Sequence, residues 1–245
     1  MGWLSALLGN LAFHLEDPSG ARVHLATAVT CSSRTGDSRL AAWAWGARAM
    51  VARAAGEHTL ALEQAERGMA CVPSGLPRAQ LQSWARLPSL AELGRERDAD
   101  DALAAACQEL DADAQGWAAG RFGFDAAEHA LHEADAQRAL GRAERAVTCA
   151  ERSLRAVAVG TPGWAAAALV MAQAEALSAP SDAAQRALDV LTRVPAARLR
   201  STSRARLMQL ACALDGHDAV GVEDLRERAR ALPPSIDAYG AAVTA

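Results

Sequence analysis

Ala21-Arg22-Val23-His24-Leu25-Ala26-Thr27-Ala28 puts small or compact apolar residues at positions 21, 25 and 28, on one face of a helix. The beat returns as Ala61-Ala65-Gly68, Ala99-Leu103-Ala106, Ala146-Ala150-Ser153 and Ala184-Leu188-Leu191, with a worn sixth copy at Gly221-Leu225. Successive markers stand 40, 38, 47, 38 and 37 residues apart, with helix-forming sequence between them. Self-similarity at periods of roughly 20–50 residues marks a solenoid, in which each helix pair buries its face on the next. The expected fold is therefore all-α, a right-handed α-solenoid of about six antiparallel helix pairs. Such folds usually work by presenting a long concave surface.

Composition agrees. Among 245 residues there are one Tyr and three Phe, with heavy use of Ala and Leu, which favours helix over sheet. Alanine-rich helices approach closely, so the core should be thin. All 25 basic residues are arginine, and the net charge of −4 gives no general attraction to nucleic acid or anionic membrane. Cys31, Cys71, Cys107, Cys149 and Cys212 are odd in number and lack any CxxC spacing. They read as small buried residues of a reducing, cytoplasmic protein. Met1–Leu15 has neither a basic n-region nor a small-residue cleavage site, so no signal peptide is expected. The longest weakly polar run, Trp164–Ala174, is too short to span a bilayer.

The expected pairs are Gly2–Leu15 with Ser19–Arg34, Ser38–Ala55 with Thr59–Cys71, and Arg78–Leu93 with Ala99–Leu110. After a long connection, Asp111–Phe122, come Asp125–Leu140 with Arg142–Val159, Gly163–Leu177 with Asp182–Arg193, and Arg198–Leu214 with Ala219–Leu232. Asp17 should cap the second helix with Pro18 at its first position, and Pro88 should kink or shorten its helix. Gly56, Gly94, Gly141 and Gly216 fit the position just past a helix end, where positive φ is needed. One domain, 1–232, with a loose tail, 233–245, is expected.

Leu8-Gly9-Asn10-Leu11-Ala12 through Asp17 to Ala21-Leu25-Ala28, partly repeated by Trp45 with Ala61, resembles the tetratricopeptide repeat. The wider layout resembles the helical-repeat region of actinobacterial transcriptional regulators that join a helix-turn-helix domain to a tetratricopeptide array. That likeness rests on Gly2-Trp3-Leu4, on Trp117…Phe122-Gly123-Phe124-Asp125 leading into Glu128, and on Arg200-Ser201-Thr202-Ser203-Arg204-Ala205-Arg206. It implies a cytoplasmic regulatory module that binds a peptide, protein or small effector in its concave groove. No helix-turn-helix stands before Gly2. The expectation is thus either the sensor part of a longer regulator or a stand-alone array, with no DNA binding by this chain.

In repeats of this kind the first helix of each pair lines the groove. Counting back 18, 15, 11 and 8 residues from each marker gives Trp3, Ala6, Asn10 and Phe13, then Trp43, Gly46, Met50 and Arg53. The third and fourth pairs give Leu81, Trp84, Pro88 and Ala91, and Glu128, Leu131, Asp135 and Arg138; the fifth gives Ala166, Leu169, Gln173 and Ala176. With the aromatic loop residues Trp117 and Phe124, the candidate ligand-binding set is Trp3, Asn10, Phe13, Trp43, Met50, Arg53, Trp84, Trp117, Phe124, Glu128, Asp135, Arg138 and Gln173. The same tryptophans could equally fill gaps between alanine-rich helices. Trp45 should face away, into the core.

Glu128, His129 and His132 form the single cluster with ligand or acid–base chemistry, His129 and His132 sharing a helical face. No second cluster completes a metal site, so neither metal nor cofactor is expected. An enzyme of small-molecule, natural-product metabolism is the alternative reading, with Glu128, His129, His132 and Asp135 as its acid–base groups. Asp100-Asp101 reads as helix N-terminal charge, and the arginines at 198–206 and 226–230 as solvated faces, the first run also able to receive an acidic partner. The apolar first helix (Leu4, Leu7, Leu8, Leu11) looks uncapped and is a candidate surface for pairing with a second copy.

Overall fold

Asp17 accepts a hydrogen bond from the Gly20 N–H (2.8 Å) and Asp37 one from the Leu40 N–H (2.9 Å), so each starts a helix by satisfying an otherwise orphan donor. The structure, a computed structural model, describes residues 1–113 and 124–234. The helices are α1 (Gly2–His14), α2 (Pro18–Thr35), α3 (Ser38–Ala54), α4 (His58–Ala70), α5 (Leu76–Leu81), α6 (Leu87–Glu92) and α7 (Glu96–Ala112). They continue with α8 (Ala126–Ala139), α9 (Ala143–Ala156), α10 (Pro162–Glu175), α11 (Pro180–Arg193), α12 (Ser201–Ala213) and α13 (Val222–Arg230). No strand occurs among the described residues. No described helix is long and apolar enough to cross a membrane.

One turn recurs four times. After α1 the Glu16 N–H donates to Phe13 O (3.1 Å) and the Asp17 N–H to Ala12 O (2.9 Å). The identical pair of bonds closes α3 at Gly56 and Glu57, α6 at Gly94 and Arg95, and α8 at Gly141 and Arg142. This helix ending needs a left-handed residue. Gly56 has φ 78° and Gly141 φ 72°, whereas the first turn forces Glu16 to φ 64°. Glu16→Gly should therefore raise stability by about 0.5–1 kcal/mol, because the Cβ penalty disappears. Urea unfolding checks this, through an upward shift of the midpoint.

Each helix packs on its chain neighbours: α1 on α2, α2 on α3, α3 on α4, α8 on α9, α9 on α10, and α10 on α11. The first helices also touch one another, α1 to α3, α3 to α5, α6 to α8, α8 to α10 and α10 to α12. Finally α12 returns to touch α1, so these helices surround a common interior. The small-residue beat makes the packing possible. Ala21, Leu25, Ala28, Ala61, Ala65, Ala99, Ala106, Ala146, Ala150 and Ala184 are all fully buried. Where contact is closest only glycine fits: a Cβ on Gly9 would stand 2.7 Å from Leu25 Cγ and 3.2 Å from its backbone nitrogen. On the outside of α1, Leu4 and Leu7 remain 56% and 59% exposed.

Several details depart from the sequence-based expectations. At Pro88 the expected helix 78–93 is divided into α5 and α6 by a π turn over Gln82–Arg86, with the Leu87 N–H bonding Gln82 O. Proline lacks the donor that would bond Trp84 O and its ring would crowd that carbonyl, so a wider turn just ahead of it relieves both problems. Arg204 is buried rather than solvated, donating to Leu199 O, Ala196 O and Pro233 O and tying residues before and after α12 together. Arg206 is also withdrawn from solvent. Trp45 is half-buried, with the Arg48 and Arg67 guanidinium groups over its ring at 4.6 and 5.3 Å. Asp100 reaches Arg142 across the α8–α9 turn at 2.7 Å. All five cysteines are free; Cys149 is buried, Cys212 is exposed and the others lie between. Most of the tail, 235–245, falls outside the described residues.

Candidate ligand-binding cavity

The interior shared by the first helices opens into two adjoining cavities of about 360 and 410 Å3. Met50, Arg53, Thr202 and Arg206 line both. Each volume lies in the range of ~300–1,000 Å3 typical of small-molecule sites. Helical spacing accounts for the lining. Trp43, Met50 and Arg53 recur at seven and three residues along α3, so they share one face. Glu128, Leu131, His132, Asp135 and Arg138 do the same along α8. Asn10, Phe13 and His14 come from α1, Ala166 from α10, and Arg200, Thr202 and Arg206 from α12 and its N-cap. Trp84 enters from the π turn.

One wall is aromatic. The Trp43 and Trp84 rings lie 5.8 Å apart at 52°, a tilted contact of the favoured kind. Gly46 permits it, since a Cβ there would come within 3.1 Å of the Trp84 ring. Trp3 extends the row, 6.3 Å from Trp43, but is held by Asp37 through its Nε1 (3.1 Å) and borders a separate crevice of about 10 Å3. Phe124, immediately before α8, closes the far side.

The adjoining cavity has an ionic wall. Asp135 Oδ2 meets Arg206 Nη2 at 3.1 Å and Arg53 Nη1 at 3.4 Å, while Oδ1 meets Arg138 Nε at 3.3 Å. Arg138 also pairs with Glu92 at 3.1 Å. The side chains of Asp135, Arg206 and Arg53 are only 9%, 14% and 15% exposed. Burial alone would raise the Asp135 pKa, but Arg206, Arg138 and Arg53 outweigh it and hold the carboxyl below its usual range. Burial, then the charge of Arg53, lowers the His132 pKa to about 3; burial, then Arg200, lowers that of His14 to about 4. Both imidazoles are therefore neutral at pH 7, and the Nδ1 atom of each is buried without a hydrogen-bond partner. Burial raises the Glu128 pKa; its carboxylate lies 3.7 Å from His132 Nε2.

Of the candidate residues, Asn10, Phe13, Trp43, Met50, Arg53, Trp84, Phe124, Glu128, Asp135 and Arg138 come together here. Trp117 lies outside the described residues. Gln173 does not reach the cavities; its Nε2 bonds Gln209 Oε1 (3.1 Å) and Arg206 O (3.4 Å) between α10 and α12. The acid–base set is divided. His129 points the other way, its Nδ1 2.7 Å from Ser83 Oγ and its Nε2 3.6 Å from Cys107 Sγ. Because α8 is covered on several sides, two positions about 60° apart on its surface meet different neighbours. Among the described residues no group of three or more His, Cys, Asp or Glu is placed to hold a metal ion.

His14, Gln80, Arg200, Thr202 and Arg206 line the cavity without standing among the sequence-based candidates. A signal existed for Arg206: the same count, taken back from Gly221, lands on Ser203 and Arg206. No protein-family model matches this sequence, and no curated protein matches it significantly.

Proposed function

We propose that this chain is a tetratricopeptide-like α-solenoid acting as a receptor module, with a small amphipathic ligand held in its interior as a regulatory signal. The carrying observation is that the cavity lined by Trp43 and Trp84 adjoins the one lined by Asp135, with Arg53 and Arg206 of the buried cluster lining both. A core designed only for stability gains little from such a cluster, since desolvating buried ions offsets most of their attraction. An aromatic wall beside a fixed ionic one suits a ligand with two unlike ends. The closure of α12 on α1 favours a small molecule over an extended partner segment.

Trp43→Ala combined with Trp84→Ala should abolish retention of small molecules from a cell extract, measured by mass spectrometry on the folded protein. Circular dichroism must show both proteins folded. If the double variant retains the same molecules as the wild type, the cavity is not the site.

A further inference from the structure

The donors and charges of the cavity narrow the ligand class, on the reading of the cavity as a ligand site. Arg53 and Arg206 reach the same oxygen, Asp135 Oδ2, and among the described residues neither guanidinium has another protein acceptor. A guanidinium carries five N–H donors, so the bonds to Asp135 use only a small part of the donor capacity of two largely buried arginines that line the cavity. Arg138, by contrast, divides itself between Asp135 and Glu92. Arg200, exposed at the N-cap of α12, lines the cavity without an ion pair among the described residues. His14 and His132 add a buried, unpartnered Nδ1 each.

The first cavity also holds two carboxylates, Asp125 and Glu128. Asp125 is engaged as the cap of α8, accepting the Glu128 N–H at 3.0 Å. Glu128 is seven residues from Asp135, roughly 10 Å along the helix axis at ~1.5 Å per residue. Burial raises the Glu128 pKa against the opposing charges of Arg200 and Arg206, and Met50 and Leu131 contribute apolar surface to the space shared with Trp43 and Trp84.

We infer that the cavity selects a small aromatic acid, its carboxylate held by Arg53 and Arg206 with Arg200 assisting, and its ring against Trp43 and Trp84. Planar, forked guanidinium groups suit a carboxylate because both of its oxygens can be engaged at once. Asp135 then serves as the shared counterion that keeps Arg53 and Arg206 in position.

The test uses three probes of matched shape, 2-naphthoate, 2-naphthamide and 2-naphthylmethylammonium, titrated by calorimetry into the full chain at pH 7.5. The acid should bind at least tenfold more tightly than the amide, and the ammonium most weakly. Arg206→Gln should erase the preference while leaving the affinity for the amide in place. Arg200→Gln, at an exposed side chain with no ion pair among the described residues, should reduce the preference severalfold. Equal affinity for acid and amide, tighter binding of the ammonium, or a preference that survives both substitutions overturns the inference while leaving the cavity a ligand site. Failure of all three probes at millimolar concentration overturns the site as well.

Discussion

Asp135→Ala should lower the stability of the protein by about 3–5 kcal/mol, the expected cost of removing one partner from a buried ion cluster. The reason is geometric. Arg53 and Arg206 converge on one Asp135 oxygen, and both are largely withdrawn from water, so the substitution leaves two cations without a counterion. Arg138 retains Glu92 and suffers less. Asp98→Ala is the control. It breaks a 2.7 Å pair with Arg95 in which both side chains are more than two-fifths exposed, and it should cost no more than about 1 kcal/mol. Urea unfolding of the two variants decides between the alternatives. Equal small losses would mean that water reaches the cluster freely and that it is not a buried polar wall.

The second large effect is expected in acid. His132 and His14 are neutral in the folded protein, with pKa values lowered to about 3 and about 4 from the ordinary 6.5. As pH falls below 6.5 the unfolded chain takes up these protons and the folded chain does not, so stability declines. Each group contributes about 1.4 kcal/mol per pH unit until its own folded pKa is reached. Between pH 6.5 and 4.5 the combined loss should be about 3–5 kcal/mol. His129, shifted in the same direction by burial, adds to it. Asp135 acts lower on the scale: its depressed pKa contributes stability above the unfolded value near ~3.9, lost only as pH falls past that point. Denaturant unfolding at a series of pH values measures the slope. His132→Asn should flatten it by about half, and an unchanged slope would place the acid-sensitive groups elsewhere.

Much of the architecture was legible because helix pairs announce their own limits. The Asp17-Pro18 start, the glycines at 56, 94 and 141 and the buried beat at 21, 61, 99 and 146 are local signals, and the helices stop and start within a few residues of them. Glu16 occupies the same turn position as those glycines without their sequence signature. One periodic count picked out Trp43, Met50, Arg53, Glu128 and Asp135, which line the two adjoining cavities, and also Gln173 and Trp3, which line neither.

What could not be read depends on contacts between distant segments. Arg204 and Arg206 look like surface arginines beside Arg200, yet one bonds three carbonyls and the other reaches Asp135, 71 positions away. Only the return of α12 to α1 decides this, and no local pattern encodes that return. His129 and His132 present the same difficulty, since their separation on α8 says nothing of which neighbours stand on either side. The π turn ahead of Pro88 is a third case: proline announces a disturbance but not whether the helix stops or widens.

The most direct test of a ligand-holding interior is native mass spectrometry of the protein purified from cell extract, compared with the same sample denatured. The account predicts a native mass exceeding the chain mass by that of one small acidic molecule, released on denaturation and absent from the Trp43→Ala, Trp84→Ala double variant. A bare chain mass, with exposure to extract adding nothing to the wild type, would contradict it.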